Sequence, residues 1–134
     1  MDIEELSVGN FVYLKNGKLL QGLQVTGIGD SFVNLKTSDE YPNVLYPLND
    51  IEPIPLTKEI LKKNEFIDYS FPFAYFCSKD RRIEVKAITN SGDGYLCVHV
   101  DNEDFETIGS CDVQYVHEMQ HLLRLCRYEK EIEL

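Results

Sequence analysis

At 134 residues the chain fits one ordinary domain, or two small units sharing a core, and it can bury roughly two-thirds of its unfolded surface. With 43% hydrophobic and 27% charged residues it is composed like a folded soluble protein, and no run approaches the roughly 18 apolar residues of a membrane span. A formal charge of -10 argues against direct binding to nucleic acid or anionic lipid, because phosphate binding needs a concentrated Lys/Arg patch.

The chain opens Met1-Asp2-Ile3-Glu4-Glu5, acidic where a signal peptide would be basic and then apolar, so the expected location is cytoplasmic. From Val8 to Pro53 short apolar runs alternate with turn residues. Phe11 to Leu14 leads into Asn16-Gly17, the strongest two-residue hairpin signal. Leu19 to Ile28 runs to a Gly29-Asp30 turn, Phe32 to Lys36 forms a third run, and Val44 to Tyr46 a fourth before Pro47 and Asp50. Short strands about ten residues apart with Gly at the bends predict a small antiparallel barrel of the SH3-like kind over residues 1–55.

Pro53-Ile54-Pro55 fits neither a central strand nor a helix interior and is expected to be an extended connector. It opens a second segment, residues 56–134. Thr57 can cap a short helix running to about Asn64, with Leu56 and Leu61 as its hydrophobic staple. Tyr69, Phe71, Phe73, Tyr75 and Phe76, with Pro72 among them, are expected to form a core strand. Ile83, Val85 and Ala87 alternate with Arg82, Glu84 and Lys86, which is the pattern of a half-exposed strand. Asn90 to Gly94 predicts a hairpin loop, Tyr95 to Val100 a strand, Asp101 to Asp104 an acidic turn without EF-hand spacing, and Phe105 to Ile108 a returning strand.

Asp112 is the expected cap of a helix from Val113 to about Arg127, a stretch without Gly or Pro. At about 100° per residue, Tyr115, Val116, Met119, Leu122, Leu123 and Cys126 share one side, and His117, Gln120, His121, Arg124 and Arg127 form a polar face opposite. The fold class is therefore α+β: an SH3-like barrel, then an antiparallel meander packed by a C-terminal helix. The four cysteines, Cys77, Cys97, Cys111 and Cys126, form no C-x-x-C pair and are read as buried free thiols. Cys111, beside a helix start, is read as a structural thiol because no base is placed for it.

His117-Glu118-Met119-Gln120-His121 spells H-E-x-x-H, which on a helix lets two imidazoles bind zinc and a carboxylate activate water. A catalytic zinc needs a third protein ligand. No downstream His stands at metzincin spacing, His99 on a predicted strand is the remaining histidine, and Arg124 would oppose a cation on the same face. The leading expectation is hence a non-enzymatic protein-binding or adaptor module with no cofactor and an unspecified protein partner, with Tyr13, Tyr41 and Tyr46 as candidate surface residues. The alternatives are a zinc-dependent hydrolase using His117, His121 and His99 as ligands with Glu118 as base, and an acidic decoy of a nucleic-acid-binding protein.

Val8-Gly9-Asn10-Phe11-Val12-Tyr13, the stretch from Pro47 through Ile54-Pro55 to Thr57, and Tyr115-Val116-His117-Glu118-Met119-Gln120 resemble, in that order, a group of short uncharacterised proteins of gut Bacteroidetes and their mobile elements. That group carries a Val-His-x-Leu-Gln helix, commonly with Asn where His121 stands, and has no assigned activity. The resemblance implies that the zinc pair is not a property of the group, and that His117 and Gln120 match its pattern without a role attached.

Overall fold

The computed structural model describes residues 6–15, 22–69, 75–87 and 96–134. The expected Asn16-Gly17 and Asn90–Gly94 turns, and Phe71, Pro72 and Phe73, lie outside these residues. The chain divides into two compact units, Met1–Ile54 and Pro55–Leu134.

The first unit is one antiparallel sheet. Strands β1 (Phe11–Leu14), β2 (Leu23–Ile28), β3 (Phe32–Lys36), β4 (Val44–Pro47) and β5 (Ile51–Pro53) lie in the order β4-β3-β2-β1-β5, and a 3₁₀ turn, Leu48–Asp50, joins the last two. The sheet is not closed among the described residues; β4 and β5 are its edges. Alternation sets the core: Leu6, Val12, Val25, Val33, Leu35 and Ile51 are buried together, with Leu14, Leu23, Tyr46 and Leu48 packed against them. Pro53, expected in a connector, ends β5 opposite Val12, a position an edge strand tolerates because proline lacks a ladder N–H. Asn10 is fully buried and holds the lead-in turn: its side-chain oxygen accepts from Ser7 N–H at 2.7 Å and its carbonyl from Val25 N–H at 2.8 Å.

The second unit begins with α1 (Lys58–Lys63), capped as expected by Thr57, whose hydroxyl accepts from Ile60 N–H at 3.3 Å; Leu56 and Leu61 are buried. Strands β6 (Ile67–Asp68), β7 (Tyr75–Cys77), β8 (Ile83–Ala87), β9 (Leu96–Asp101) and β10 (Thr107–Val113) form an antiparallel meander in the order β10-β9-β8-β7-β6. Of the described aromatic residues, Phe76 is buried in β7, which pairs with β6, and Tyr69 is exposed.

Helix α2 (Val116–Leu125) lies against β10 and starts later than Asp112 predicts. Asp112 is a strand residue opposite Cys97, because β10 continues five residues past Ile108 and its ladder with β9 outcompetes helix initiation there. Both helices end in Schellman motifs built without glycine. After α1, Glu65 has φ 67°, Phe66 N–H bonds Leu61 O and Glu65 N–H bonds Lys62 O; after α2, Arg127 has φ 54°, Tyr128 N–H bonds Leu123 O and Arg127 N–H bonds Arg124 O.

The cysteines carry no disulfide, but their burial departs from expectation: Cys77 is buried, Cys97 and Cys126 are half-buried and Cys111 is exposed.

Candidate functional site

The H-E-x-x-H segment forms the first turns of α2. Its local cause lies just upstream. Leu56 N–H donates to Gln114 O at 3.0 Å and Tyr115 bridges Pro55, so Gln114-Tyr115 is held extended and the helix begins at Val116. The orphan donors at this start are met by Glu118: Gln114 N–H and Tyr115 N–H both donate to its Oε1 at 2.9 Å. The carboxylate that a hydrolase would use on water is therefore the helix cap.

The expected polar face is not a solvated one. His117 and Gln120 are 3% and 2% exposed, while His121 is half-buried. The His117 ring stacks on Tyr115, with centroids 5.8 Å apart and planes 10° from parallel, and meets His121 edge-on at 5.9 Å. Burial first, then the Arg124 guanidinium one turn on, holds the His121 imidazole below its usual range against the pull of Glu118. The result is a His117 ring packed face-on against Tyr115 and edge-on against His121.

His99 does not join it. Val98 and Val100 of β9 are fully buried, Val100 stands opposite Gly109, and a Cβ at Gly109 would press on Leu122 and Cys126. The α2 side of the sheet is thus the Val98/Val100 side, and His99 is on the reverse face, where its Nε2 is 3.5 Å from Cys97 Sγ. Among the described residues no group of three His, Cys, Asp or Glu side chains is arranged to hold a metal ion. Cys111, exposed on β10, has its thiol pushed up by partial burial and then by the nearby charges of Glu118 and Asp112, which disfavours the thiolate.

Comparison of the chain with family models, curated proteins and solved structures gave no match.

Sequence reasoning missed a polar cluster at the β7–β8 turn. Asp80 accepts from the Ser78 hydroxyl at 2.5 Å, from Tyr128 OH at 2.7 Å and from Arg82 N–H at 3.1 Å, and the Arg82 guanidinium sits 5.1 Å over the Tyr128 ring. Burial alone would push the Asp80 carboxyl up, but these donors and the Arg82 charge outweigh it and leave it below the usual carboxylate range. The Tyr128 phenol is pushed up to about 12 by burial and then by the Asp80 anion. A neutral phenol on a fixed carboxylate is a clamp, not an acid–base pair near neutral pH. The turn residues Ser78 and Asp80 carried some signal for it. Tyr128, beyond the helix, carried none.

The three tyrosines proposed from sequence do not share a surface. Tyr46 packs against the core of the first unit, Tyr13 alternates away from buried Val12 on β1, and Tyr41 is 60% exposed in the loop joining β3 to β4. The same sheet carries a different apolar set. Phe32 stands opposite Pro47, and Leu45 lies two residues along the same strand face. Phe32 is 45% and Leu45 60% exposed, and Pro47 is exposed as well.

Proposed function

We propose that the chain is a non-enzymatic protein-binding module whose first unit is a small SH3-like barrel. The strand order β4-β3-β2-β1-β5, with a 3₁₀ turn leading into the last strand, supports the barrel reading. The observation that carries the binding reading is the run of Phe32, Leu45 and Pro47 on one outward strand face. Single exposed apolar residues are ordinary, but here strand register gathers them, and large exposed side chains on a rigid sheet are suited to docking on an apolar surface of another protein. Tyr41 supplies an amphipathic ring from the adjoining loop. The partner is a protein because a charge of -10 repels polyanions.

The test compares the chain with its Leu45→Asp and Phe32→Asp variants as bait in the source organism's extract. These side chains lie outside the core, so unfolding midpoints should stay within about 0.5 kcal/mol of the parent while a specifically retained protein is lost. Retention of the same proteins by parent and both variants would remove this surface from the function.

A further inference from the structure

The segment after α2 is held like a bound peptide. Residues 128–134 enter no strand ladder, yet they are fixed along their length. Tyr128 is clamped by Asp80, Glu131 meets Arg124 Nε at 3.3 Å, and Lys130 meets Glu65 at 3.3 Å. Ile132 is 3% exposed although Lys130, Glu131 and Glu133 around it are exposed, so one aliphatic side chain is anchored. Beside it, Asn64 makes a two-way contact with backbone: its Nδ2 donates to Glu133 O and its Oδ1 accepts from Glu133 N–H, both at 2.7 Å. An amide side chain bonded to both groups of one residue reads an extended chain whatever its sequence, as a neighbouring strand would.

The groove has room beside its occupant. A cavity of about 720 Å³ remains along this segment, lined by apolar Phe66, Ile83 and Leu123 and by Lys63, Lys79, Glu65 and Asp80, whose charges balance. We propose that this groove is a recognition site for an extended peptide of another protein carrying one aliphatic anchor, with a carboxylate for Arg124 and a cation for Glu65, and that residues 128–134 are its intramolecular competitor. Asn64 supplies backbone recognition, the Ile132 pocket selects an aliphatic residue, Arg124 takes a flanking carboxylate and Glu65 a flanking cation. Tethering gives the segment an effective concentration on the order of millimolar, so a foreign peptide of ordinary affinity gains the site when the segment is loosened. This reading is independent of the Phe32/Leu45 surface.

The probe is a fluorescent peptide with the sequence of residues 128–134, titrated into the full chain and followed by polarisation. Ile132→Asp should free the groove, and binding should be at least about tenfold tighter than to the parent. A peptide with Asp in place of its isoleucine should not bind, and adding Asn64→Ala to the Ile132→Asp protein should weaken binding at least about fivefold. Absence of binding by a folded Ile132→Asp protein overturns the proposal, and so does equal binding of both peptides. If Ile132→Asp does not fold, amide exchange of the parent decides. Exchange at Glu133 through an opening that leaves Leu122 and Leu123 protected supports a detachable segment; exchange of all three at one free energy overturns it. A parent that sediments as a dimer by trading this segment assigns the groove to a second copy and overturns the foreign partner.

Discussion

Replacing Glu118 by alanine removes the shared acceptor of two backbone donors, Gln114 N–H and Tyr115 N–H, each 2.9 Å from Oε1. Hydrogen bonds to a charged acceptor are worth about 1.5–3 kcal/mol each when sheltered. Here Gln114, Tyr115 and Glu118 are half-buried, so water can replace part of the contact and the cost falls into the range of lost helix caps, about 1–2 kcal/mol, including the carboxylate's attraction to the helix N-terminus. In a chain of 134 residues that lowers the melting temperature by roughly 3–8 °C. Glu118→Gln keeps an oxygen in the same place and gives up the charge, so it should cost about 0.5 kcal/mol. Urea unfolding of the parent and both variants, followed by far-ultraviolet circular dichroism, measures the two differences. If alanine costs less than about 0.3 kcal/mol, or glutamine costs as much as alanine, the assignment of Glu118 as a geometric cap fails.

Arg127→Gly should stabilise the protein by about 0.5–1 kcal/mol in the same assay, because glycine adopts the left-handed conformation seen at φ 54° without a Cβ penalty; a loss of stability would show that the Arg127 side chain contributes more than its strain. His121 is held below the ordinary imidazole value of 6.5, so the unfolded chain takes up a proton that the folded chain resists. Its contribution is complete above pH 6.5 and is lost as pH falls below that, and the His121→Gln protein should show a flatter stability profile on the acid side. Tyr128 behaves oppositely: its contribution is complete below pH 10.0 and is lost as pH rises toward about 12. A rise of that size corresponds to about 2.7 kcal/mol for a sheltered phenol, reduced to about 1 kcal/mol for a half-exposed ring, and Tyr128→Phe should remove this alkaline loss relative to the parent.

Much of the fold was legible where apolar spacing and caps agree. Val12, Val33 and Leu35, or Ile83 and Val85, alternate as strands must, and Thr57 with Leu56 and Leu61 marks a helix start unaided. The start of α2 was misjudged because Asp112 is a good cap by residue type, whereas tertiary pairing with Cys97 decided its fate. The helix ends expected at about Asn64 and about Arg127 fall within two residues of Lys63 and Leu125, although Glu65 and Arg127 occupy the positions where glycine would have been the signal. For the candidate site, spacing told correctly that His117 and His121 are neighbours. It could not tell that Glu118 serves the backbone, since a glutamate three residues after a helix start is at once a cap and the second letter of H-E-x-x-H. Nor could it reveal the groove, which depends on Asn64 meeting Glu133 across 69 residues.

The two prolines that close the edge strands of the first sheet, Pro47 in β4 and Pro53 in β5, bear on how the protein behaves when concentrated. An open sheet invites another copy to continue its ladder, and a strand that continues it must find N–H donors along the edge. Each edge here withholds one at its end, over strands of four and three residues, so few successive bonds can form. Growth by edge stacking is thereby disfavoured while the face with Phe32 and Leu45 stays exposed, so the sheet can dock through its face without polymerising at its rim.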